Sequence, residues 1–304
     1  MKKIVFIGGP TASGKTSLAV ELAKKFNGEL INADSRQIYK YLDIGTNKGE
    51  IISKNDQNFI DDIPIHMIGF LNPDERYNVF EFKQEAIKLV NQIIEKGKLP
   101  IIVGGTGLYI DSIIKDYSLS GERNADLRHE LEKLGVEELR NILINEHKAE
   151  FEGLNQSDKS NPQRLVRLIE KLKSPTKYSS KFNDFEYIFL YPKYDWDLLV
   201  QKINDRVEQM FKDGIIEEVQ KVLSLGFSKD SAALKGTGYK EILMLLDGII
   251  NLQRCIELVK ISHRQYAKRQ KTWFEGKGRG YNLIKTENTE QAIEKVKEFY
   301  DTNK

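Results

Sequence analysis

The chain has 304 residues, of which 40% are hydrophobic and 30% charged, so it can form a full hydrophobic core and a second folded unit. The net charge is only +2, so a nucleic-acid partner would have to be met by a local basic patch. A single cysteine, Cys255, excludes a disulfide framework and a cysteine-rich metal site. No apolar run approaches the length of a membrane span, and we therefore expect a cytoplasmic protein without a membrane partner.

The first predicted strand, residues 4–7, leads into a glycine-rich segment that is followed by a run of good helix formers. Residues 9–16 fit the pattern G-x-x-x-x-G-K-S/T of a phosphate-binding loop, or P-loop. Glycines let backbone N–H groups turn towards an anion, and the dipole of the following helix adds positive potential. Lys15 adds a point charge, and Thr16 adds a hydroxyl for Mg²⁺ or for a phosphate oxygen. The predicted polyphosphate site consists of Gly9, Pro10, Thr11, Ala12, Ser13, Gly14, Lys15 and Thr16.

Beyond the P-loop, helix and strand patterns alternate, at residues 18–25 (helix), 28–34 (strand), 63–68 (strand), 79–96 (helix) and 99–103 (strand). This alternation predicts an α/β fold with a P-loop NTPase-like parallel sheet and helices on both faces. Ligands of such sheets bind at the carboxyl ends of the strands. The P-loop, Asp34 and Thr106 all lie at such ends, so we expect them to converge on one cleft, with the strand of Asp34 beside the P-loop strand.

The pattern changes between residues 121 and 182, where three helical patterns follow one another without a strand. We interpret this stretch as a helical insertion, so that residues 1–120 and 183–304 form the α/β core. The remaining core elements are predicted as a strand, two helices, a long helix and a last strand, at residues 185–191, 197–212, 215–225, 252–275 and 281–284.

The long C-terminal helix carries a concentration of positive charge. Residues 260–280 contain seven Lys or Arg and one acid, and Arg264, Lys268 and Lys271 share one helical face. Alone, such a run is usually a solvated face whose aromatic neighbours pack on the core. Next to a polyphosphate site, it becomes a candidate track for an RNA backbone.

Six segments resemble, in order, the motifs of the tRNA dimethylallyltransferase family and together cover nearly the whole chain: residues 9–16, 34–39, 43–46, 104–109, 238–239 and 264–273. The resemblance implies transfer of a dimethylallyl group from dimethylallyl diphosphate to N6 of the adenosine 3′-adjacent to the anticodon, position 37, in tRNA. The products would be N6-dimethylallyladenosine and diphosphate, and the P-loop would hold diphosphate rather than a nucleotide. We further expect Mg²⁺ as cofactor, the tRNA anticodon stem-loop as partner, and a monomer.

Family positions imply roles for individual residues. Asp34 is implied as the base that accepts the proton of N6, and Thr106 as a contact to the target nucleotide. Lys15, Thr16 and Arg206 would neutralise the departing diphosphate, with Thr16 as a magnesium ligand.

The same family positions imply an extended tRNA contact surface, part of it on the insertion, which we expect to clamp the anticodon stem-loop. The target base would leave the stack to reach the cleft, as in other base-modifying enzymes. The implied tRNA contacts are Asp34, Ser35, Arg36, Gln37, Thr106, Arg128, Gln163, Arg164, Leu165, Val166, Arg167, Lys235, Gly238, Tyr239, Lys240, Lys268, Arg269, Lys271 and Trp273.

Three positions admit a plainer interpretation. Without the resemblance, Arg206 would be a surface ion pair with Glu208 or Glu218. His66 stands where the family usually has two histidines and an acid, and we interpret it as structural. Gly49 replaces a proline of the family's pattern, so we expect its loop to be more mobile.

Three other functions share parts of the pattern. A prenyltransferase acting on free adenine nucleotides would use the same P-loop and Asp34, but it would need neither the insertion nor the basic helix. A small-molecule kinase would also have a P-loop, although here the strand at residues 101–103 ends in glycines rather than in the Asp that usually positions magnesium. A non-catalytic RNA-binding NTPase switch would show nucleotide-dependent RNA affinity.

Overall fold

The computed structural model describes residues 2–115, 125–173, 185–276 and 280–301. The chain divides into two compact units, one made of Met1–Lys115 with Phe182–Lys304 and the other of Asp116–Lys181. The predicted bounds of the insertion, residues 121 and 182, lie outside the described residues, as do Lys277 and Arg279 of the basic stretch.

The sheet of the first unit is made of β1 (Lys2–Gly8), β2 (Gly28–Asn32), β3 (Ile52–Lys54), β4 (Gln57–Ile60), β5 (Ile63–His66), β6 (Leu99–Gly104), β7 (Phe185–Pro192) and β8 (Leu283–Thr286). Its strands lie in the order β3-β4-β5-β2-β6-β1-β7-β8. Neighbours from β5 to β8 are parallel, which confirms the predicted α/β fold for this part of the sheet. The expected pairing of β2 with β1 is wrong, because β6 lies between them.

An antiparallel edge, β3-β4-β5, was not predicted, because the polar stretch before residue 63 has no clear strand pattern. Asn55 and Asp56 connect β3 to β4, and Asp61 and Asp62 connect β4 to β5. All four residues have positive φ, at +49°, +59°, +48° and +63°. Asn and Asp tolerate this conformation, and two consecutive positive φ values are typical of tight hairpin turns. The signal for this edge was therefore in the turn residues rather than in the strands.

The helices are α1 (Lys15–Phe26), α2 (Val79–Glu95), α3 (Gly107–Ile114), α4 (Ala125–Glu132), α5 (Val136–Glu146), α6 (Lys148–Glu152), α7 (Gln156–Lys159), α8 (Pro162–Lys173), α9 (Trp196–Lys212), α10 (Ile215–Ser224), α11 (Tyr239–Leu246), α12 (Leu252–Glu275) and α13 (Thr289–Asp301). The long helix α12 has its predicted bounds. The prediction missed α3, α6, α7 and α11, which are too short to show a clear helical period, and it also missed α13. None of the helices in the described ranges has both the length and the hydrophobicity to cross a lipid bilayer.

Helices cover both faces of the sheet, because successive residues of each strand point to opposite sides. In β1, Val5 and Ile7 pack against α1 and α13, whereas Ile4 and Phe6 pack on the side of α2, α3 and α12. All four side chains are completely buried, and each such burial stabilises the fold by roughly 1.5–3 kcal/mol. With both faces covered, the carboxyl edge of the strands is left for a ligand.

In its described residues, 125–173, the second unit is helical and has a hydrophobic core of its own. The core side chains of α4 to α8 are Leu131, Leu139, Leu143, Leu165, Val166 and Ile169. Leu165 is 0% exposed and Val166 is 2% exposed. The expectation that these two residues contact tRNA is therefore wrong for their side chains, which hold α8 in its unit.

Candidate functional site

The P-loop connects the end of β1 to the start of α1. The first N–H groups of a helix have no partner within the helix, so those of α1 are available to an anion. The ammonium group of Lys15 turns back over the loop, with Nζ 2.5 Å from the carbonyl oxygen of Pro10. The strand–loop–helix context that the motif requires is thus present.

Arg206 of α9 lies against the P-loop, where its Nη1 donates to Oγ1 of Thr11 at 2.9 Å. The interpretation of Arg206 as a surface ion pair is wrong, because Glu208 pairs with Lys260 and Glu218 accepts hydrogen bonds elsewhere. A second positive charge therefore stands at the predicted polyphosphate site.

The surroundings of Lys15 disfavour its charged form. Desolvation by burial is the largest cause, and the positive charge of Arg206 adds to it, whereas Asp34 opposes it. Together these effects lower the pKa of Lys15 to about 8. An anion bound in the P-loop would restore the charge, which makes this lysine suited to binding a polyphosphate.

Asp34 and Thr106 meet at the carboxyl ends of β2 and β6. The backbone N–H of Ser35 donates to Oγ1 of Thr106 at 2.9 Å, and the Thr106 hydroxyl donates to Oγ of Ser35 at 3.2 Å. Oδ1 of Asp34 accepts the N–H of Arg36 at 2.9 Å. The half-buried side chain of Tyr266 from α12 lies near Asp34 and Thr106. The Arg36 N–H thus orients the Asp34 carboxylate, and the Thr106 hydrogen bonds hold the neighbouring Ser35.

The P-loop and the Asp34 segment line one cleft of about 200 Å³. Its lining includes Lys15, Thr16, Asp34 and Arg206 from the catalytic set, and Arg36, Gln37 and Tyr239 from the implied tRNA contacts. The predicted convergence of the P-loop and Asp34 is confirmed, whereas Thr106 does not line this cleft and is connected to it through Ser35.

The prediction missed the residue that holds the loop at residues 43–48, part of which lines this cleft. The carboxylate of Glu218 accepts the N–H groups of Asp43, Ile44 and Gly45 at 2.6, 2.6 and 3.0 Å. The Tyr239 hydroxyl donates to the same carboxylate at 3.0 Å. Tyr239 is 1% exposed, so the expectation of a direct tRNA contact by its side chain is corrected to a supporting role.

The loop that follows is also more constrained than expected. Lys48 is 4% exposed, and its Nζ lies 2.5 Å from both the Tyr39 carbonyl oxygen and Oδ1 of Asp43. Gly49 has a φ of +79°, which proline cannot adopt. The replacement of proline by glycine therefore reflects a different backbone conformation, and the expectation of extra mobility has no support in these contacts.

His66 has the structural role that we expected. Its Nε2 lies 2.8 Å from Oε2 of Glu29, which also pairs with Lys98 and Lys96. Burial alone would raise the pKa of Glu29, but the hydrogen bonds from Lys98 and His66 and the charge of Lys96 outweigh it and lower the pKa to about 2.

The basic residues of α12 are of two kinds, those exposed to solvent and those that contact other side chains of the protein. Lys268 and Arg269 are exposed, and the Arg269 guanidinium lies 5.8 Å from the ring centre of Tyr266. Arg264, in contrast, donates to Oδ1 of Asn204 at 2.6 Å and so ties α12 to α9. Lys271 is half-buried, with its ammonium 5.1 Å from the ring centre of Trp196, and the indole N–H of Trp273 donates to the Tyr281 hydroxyl at 3.2 Å.

The two predicted lysines that precede α12, Lys235 and Lys240, are exposed.

In the helical unit, the predicted arginines form ion pairs within the unit. Arg128 and Arg167 both lie 3.3 Å from Oε2 of Glu170, which is 5% exposed. Arg164 pairs with Asp158, and Gln163 is exposed.

A family model described as IPP transferase matches residues 37–277 of the chain. The tRNA dimethylallyltransferase of Thermoanaerobacter sp. (strain X514) is 39% identical over 295 residues, covering 93% of this chain and 90% of the relative. The protein of the same name from Clostridioides difficile (strain 630) is 41% identical over 284 residues, covering 90% and 89%.

Solved structures give the same result for the fold. The tRNA isopentenylpyrophosphate transferase from Bacillus halodurans is 35% identical with a TM-score of 0.69, and the match covers 99% of this chain and 96% of that one. A eukaryotic dimethylallyltransferase acting on tRNA is 29% identical with a TM-score of 0.78, covering 99% and 78%. The chain therefore belongs to the IPP transferase family, together with these tRNA dimethylallyltransferases.

Proposed function

We propose that this chain transfers a dimethylallyl group from dimethylallyl diphosphate to N6 of adenosine 37 in tRNA, giving N6-dimethylallyladenosine and diphosphate. The observation that carries the proposal is the cleft, in which Lys15 and Arg206 gather at the P-loop opposite the carboxylate of Asp34. The names of the curated relatives and of the eukaryotic structure support the same activity.

The P-loop side would act on the leaving group. As the bond between the allylic carbon and the diphosphate oxygen breaks, negative charge grows on diphosphate. The N–H groups at the start of α1, Lys15 and Arg206 would hold that charge. Preorganised donors and cations of this kind are often the largest single contribution to a rate enhancement.

The Asp34 side would act on the nucleophile. The exocyclic amine of adenine is a weak nucleophile, and it must lose a proton when N6 forms its bond to the allylic carbon. Asp34 would accept that proton as general base, which typically contributes roughly 10²–10⁴-fold to the rate. Thr106 would keep the Asp34 segment in place through its hydrogen bonds with Ser35.

Mg²⁺ fits the oxygen donors of this cleft. Within the described ranges, no group of three or more His, Cys, Asp and Glu side chains could hold a metal. Mg²⁺ on polyphosphates, however, usually takes few protein ligands and completes its shell with phosphate oxygens and water. The Thr16 hydroxyl would hold the ion beside the diphosphate, where it would neutralise the charge of the leaving group.

For tRNA, we propose contacts at the exposed cations Lys235, Lys240, Lys268 and Arg269, and at the exposed Gln163 and Arg164 of the helical unit. The target base would leave the anticodon-loop stack to reach the cleft. We propose that the working form is a monomer.

The decisive experiment is mass analysis of tRNA nucleosides after incubation with dimethylallyl diphosphate and Mg²⁺. We expect N6-dimethylallyladenosine in undermodified tRNA and none in a tRNA with guanosine at position 37. Parallel reactions with AMP and ADP test the nucleotide prenyltransferase, and ATP without a prenyl donor tests the kinase. The affinity for tRNA measured with and without ATP tests the RNA-binding switch. Prenylation of AMP or ADP in preference to tRNA, or ATP turnover without a prenyl donor, would contradict the proposal.

A further inference from the structure

The inner face of α12 contacts both glycine-rich loops of the cleft. Phe274 packs at the end of β1, where an ideal Cβ on Gly8 would lie 2.9 Å from its ring. Trp273 packs at the start of α3, where a Cβ on Gly107 would lie 2.1 Å from its ring. The helix that carries the basic outer face is therefore in direct contact with the segments that hold the reacting groups.

On the same helix, Gln270 hydrogen-bonds to both loops. Its Oε1 accepts the N–H of Thr11 in the P-loop at 2.8 Å, and its Nε2 donates to the Gly105 carbonyl at 3.0 Å. Gln270 is 4% exposed, and a Cβ on Gly105 would lie 2.0 Å from Nε2. The Gln270 amide thus uses both its acceptor and its donor, and the close approach of the Gly105 backbone leaves little space for a different side chain.

The two partners of Gln270 belong to different halves of the proposed reaction. Thr11 carries the hydroxyl that Arg206 contacts on the diphosphate side. Gly105 precedes Thr106, which hydrogen-bonds with Ser35 next to Asp34 on the nucleophile side. One side chain therefore connects the two halves through backbone groups.

We propose that Gln270 is a positioning residue that fixes the spacing between the diphosphate site and Asp34. This inference rests on the proposed function, because the spacing matters only if a donor on the P-loop reacts with a nucleophile at Asp34. Reacting atoms must approach to about 3–3.5 Å with correct alignment, and a misplacement of about 1 Å can cost roughly a hundredfold in rate. Gln270 would therefore affect the transfer step far more than the binding of either substrate.

The first test compares Gln270→Met, which has similar length and no hydrogen-bonding amide, with wild type. We expect single-turnover transfer to slow by roughly 10- to 100-fold. The affinity for inorganic diphosphate and for tRNA should stay within about threefold, because the groups proposed to bind them remain. Gln253→Met is the matched control, since Gln253 is exposed at the start of the same helix.

The second test uses Gln270→Glu, which keeps the shape of the side chain. The ionised carboxylate can accept from Thr11 but cannot donate to Gly105, whereas the protonated acid can do both. Asp34 lies close by, with Oδ2 3.6 Å from the Cβ position of Gly105, and it would raise the pKa of the new carboxyl, while Lys15 and Arg206 in the same cleft would lower it. We expect the rate of this variant relative to wild type to recover as the pH falls, which Gln270→Met cannot show.

The outcomes separate the two proposals. Absence of transfer by wild type would overturn both the proposed function and the positioning role. Transfer by wild type, with Gln270→Met and Gln270→Glu within twofold of it at every pH, would overturn the positioning role alone. Loss of diphosphate affinity by the same factor as the rate would make Gln270 a binding residue, which also contradicts the inference. Should Gln270→Met unfold in a thermal melt, Gln270→Glu decides.

Discussion

The two units of the chain use positive charge in opposite ways. In the helical unit, Arg128 and Arg167 share the buried carboxylate of Glu170. In the cleft of the α/β unit, Lys15 and Arg206 form no ion pair with a carboxylate of the described residues, and each donates instead to a neutral oxygen of the P-loop.

This difference separates charges that hold a fold from charges that await a ligand. A partly buried cation without a counter-ion is unfavourable, and the lowered pKa of Lys15 is the consequence. Binding of an anion relieves that cost. An abundance of basic residues in the sequence is therefore a weaker indication of a binding site than the lack of a carboxylate partner.

The largest expected effect is that of Asp34→Asn, which keeps the shape and removes the base. We expect single-turnover prenylation to slow by roughly 10²–10⁴-fold while tRNA affinity stays within a few-fold. Loss of affinity for dimethylallyl diphosphate instead would indicate that Asp34 is a magnesium ligand. Transfer as fast as in wild type would remove the base from the mechanism.

Lys15→Ala tests the contrast between the two units directly. Removal of one strong electrostatic interaction with the leaving group should slow turnover about a hundredfold or more at saturating donor. The control is Lys148→Ala in the helical unit, where the exposed Lys148 pairs with the exposed Glu152. An exposed pair of this kind is worth about 0–1 kcal/mol, so we expect a small loss of stability and no change in transfer rate. Similar rates for Lys15→Ala and wild type would show that the unpaired lysine is not held for a ligand.

The exposed cations of α12, Lys268 and Arg269, are expected to have a smaller effect, which concerns tRNA binding rather than the transfer rate. Replacing Lys268 and Arg269 with Ala should weaken tRNA binding and flatten its salt dependence by about one unit of slope for each phosphate that the protein no longer neutralises. A double variant of the exposed Lys25 and Lys88, on α1 and α2, removes the same charge elsewhere. Equal slopes for the two double variants would mean that the α12 face is only solvated.

Site residues can be predicted from the sequence where a local pattern along the chain marks them. The P-loop and Asp34 could be predicted because the motif spacing and the strand ends are visible along the chain. Gln270 and Glu218 could not, because they act on backbone groups, which every residue has, and because their partners are distant. Gln270 lies 259 residues from Thr11, and Glu218 lies 175 residues from Asp43. Only the packed fold brings such pairs together.

The sequence also did not reveal which side chains of the implied tRNA-contact segments are buried. A family position marks Leu165, Val166 and Tyr239 as part of a functional segment, but it does not say which way a side chain points. All three are at most 2% exposed, because each lies on the apolar face of its helix. The charged neighbours on the outer faces remain candidates for RNA contact.

The smallest predicted effect, and the most specific to Lys15, is proton uptake on donor binding. In the free protein the pKa of Lys15 is lowered to about 8, so at pH 8 about half of the molecules carry a neutral lysine. Bound diphosphate favours the charged form and raises this pKa. Binding at pH 8 should therefore take up about half a proton, and almost none well below that pH. Calorimetry in buffers of different ionisation enthalpy measures the uptake.

Lys15→Arg provides the control for this measurement, because arginine stays charged at every pH in the range. The ionisation of the donor itself contributes equally to both proteins, so the difference between them isolates Lys15. The sign also predicts the affinity: because the charged lysine binds diphosphate, wild-type affinity should fall as the pH rises above 8, and that of Lys15→Arg should not. Equal proton uptake by the two proteins would mean that Lys15 is already fully charged in the free cleft, and that its charge is not kept in reserve for the ligand.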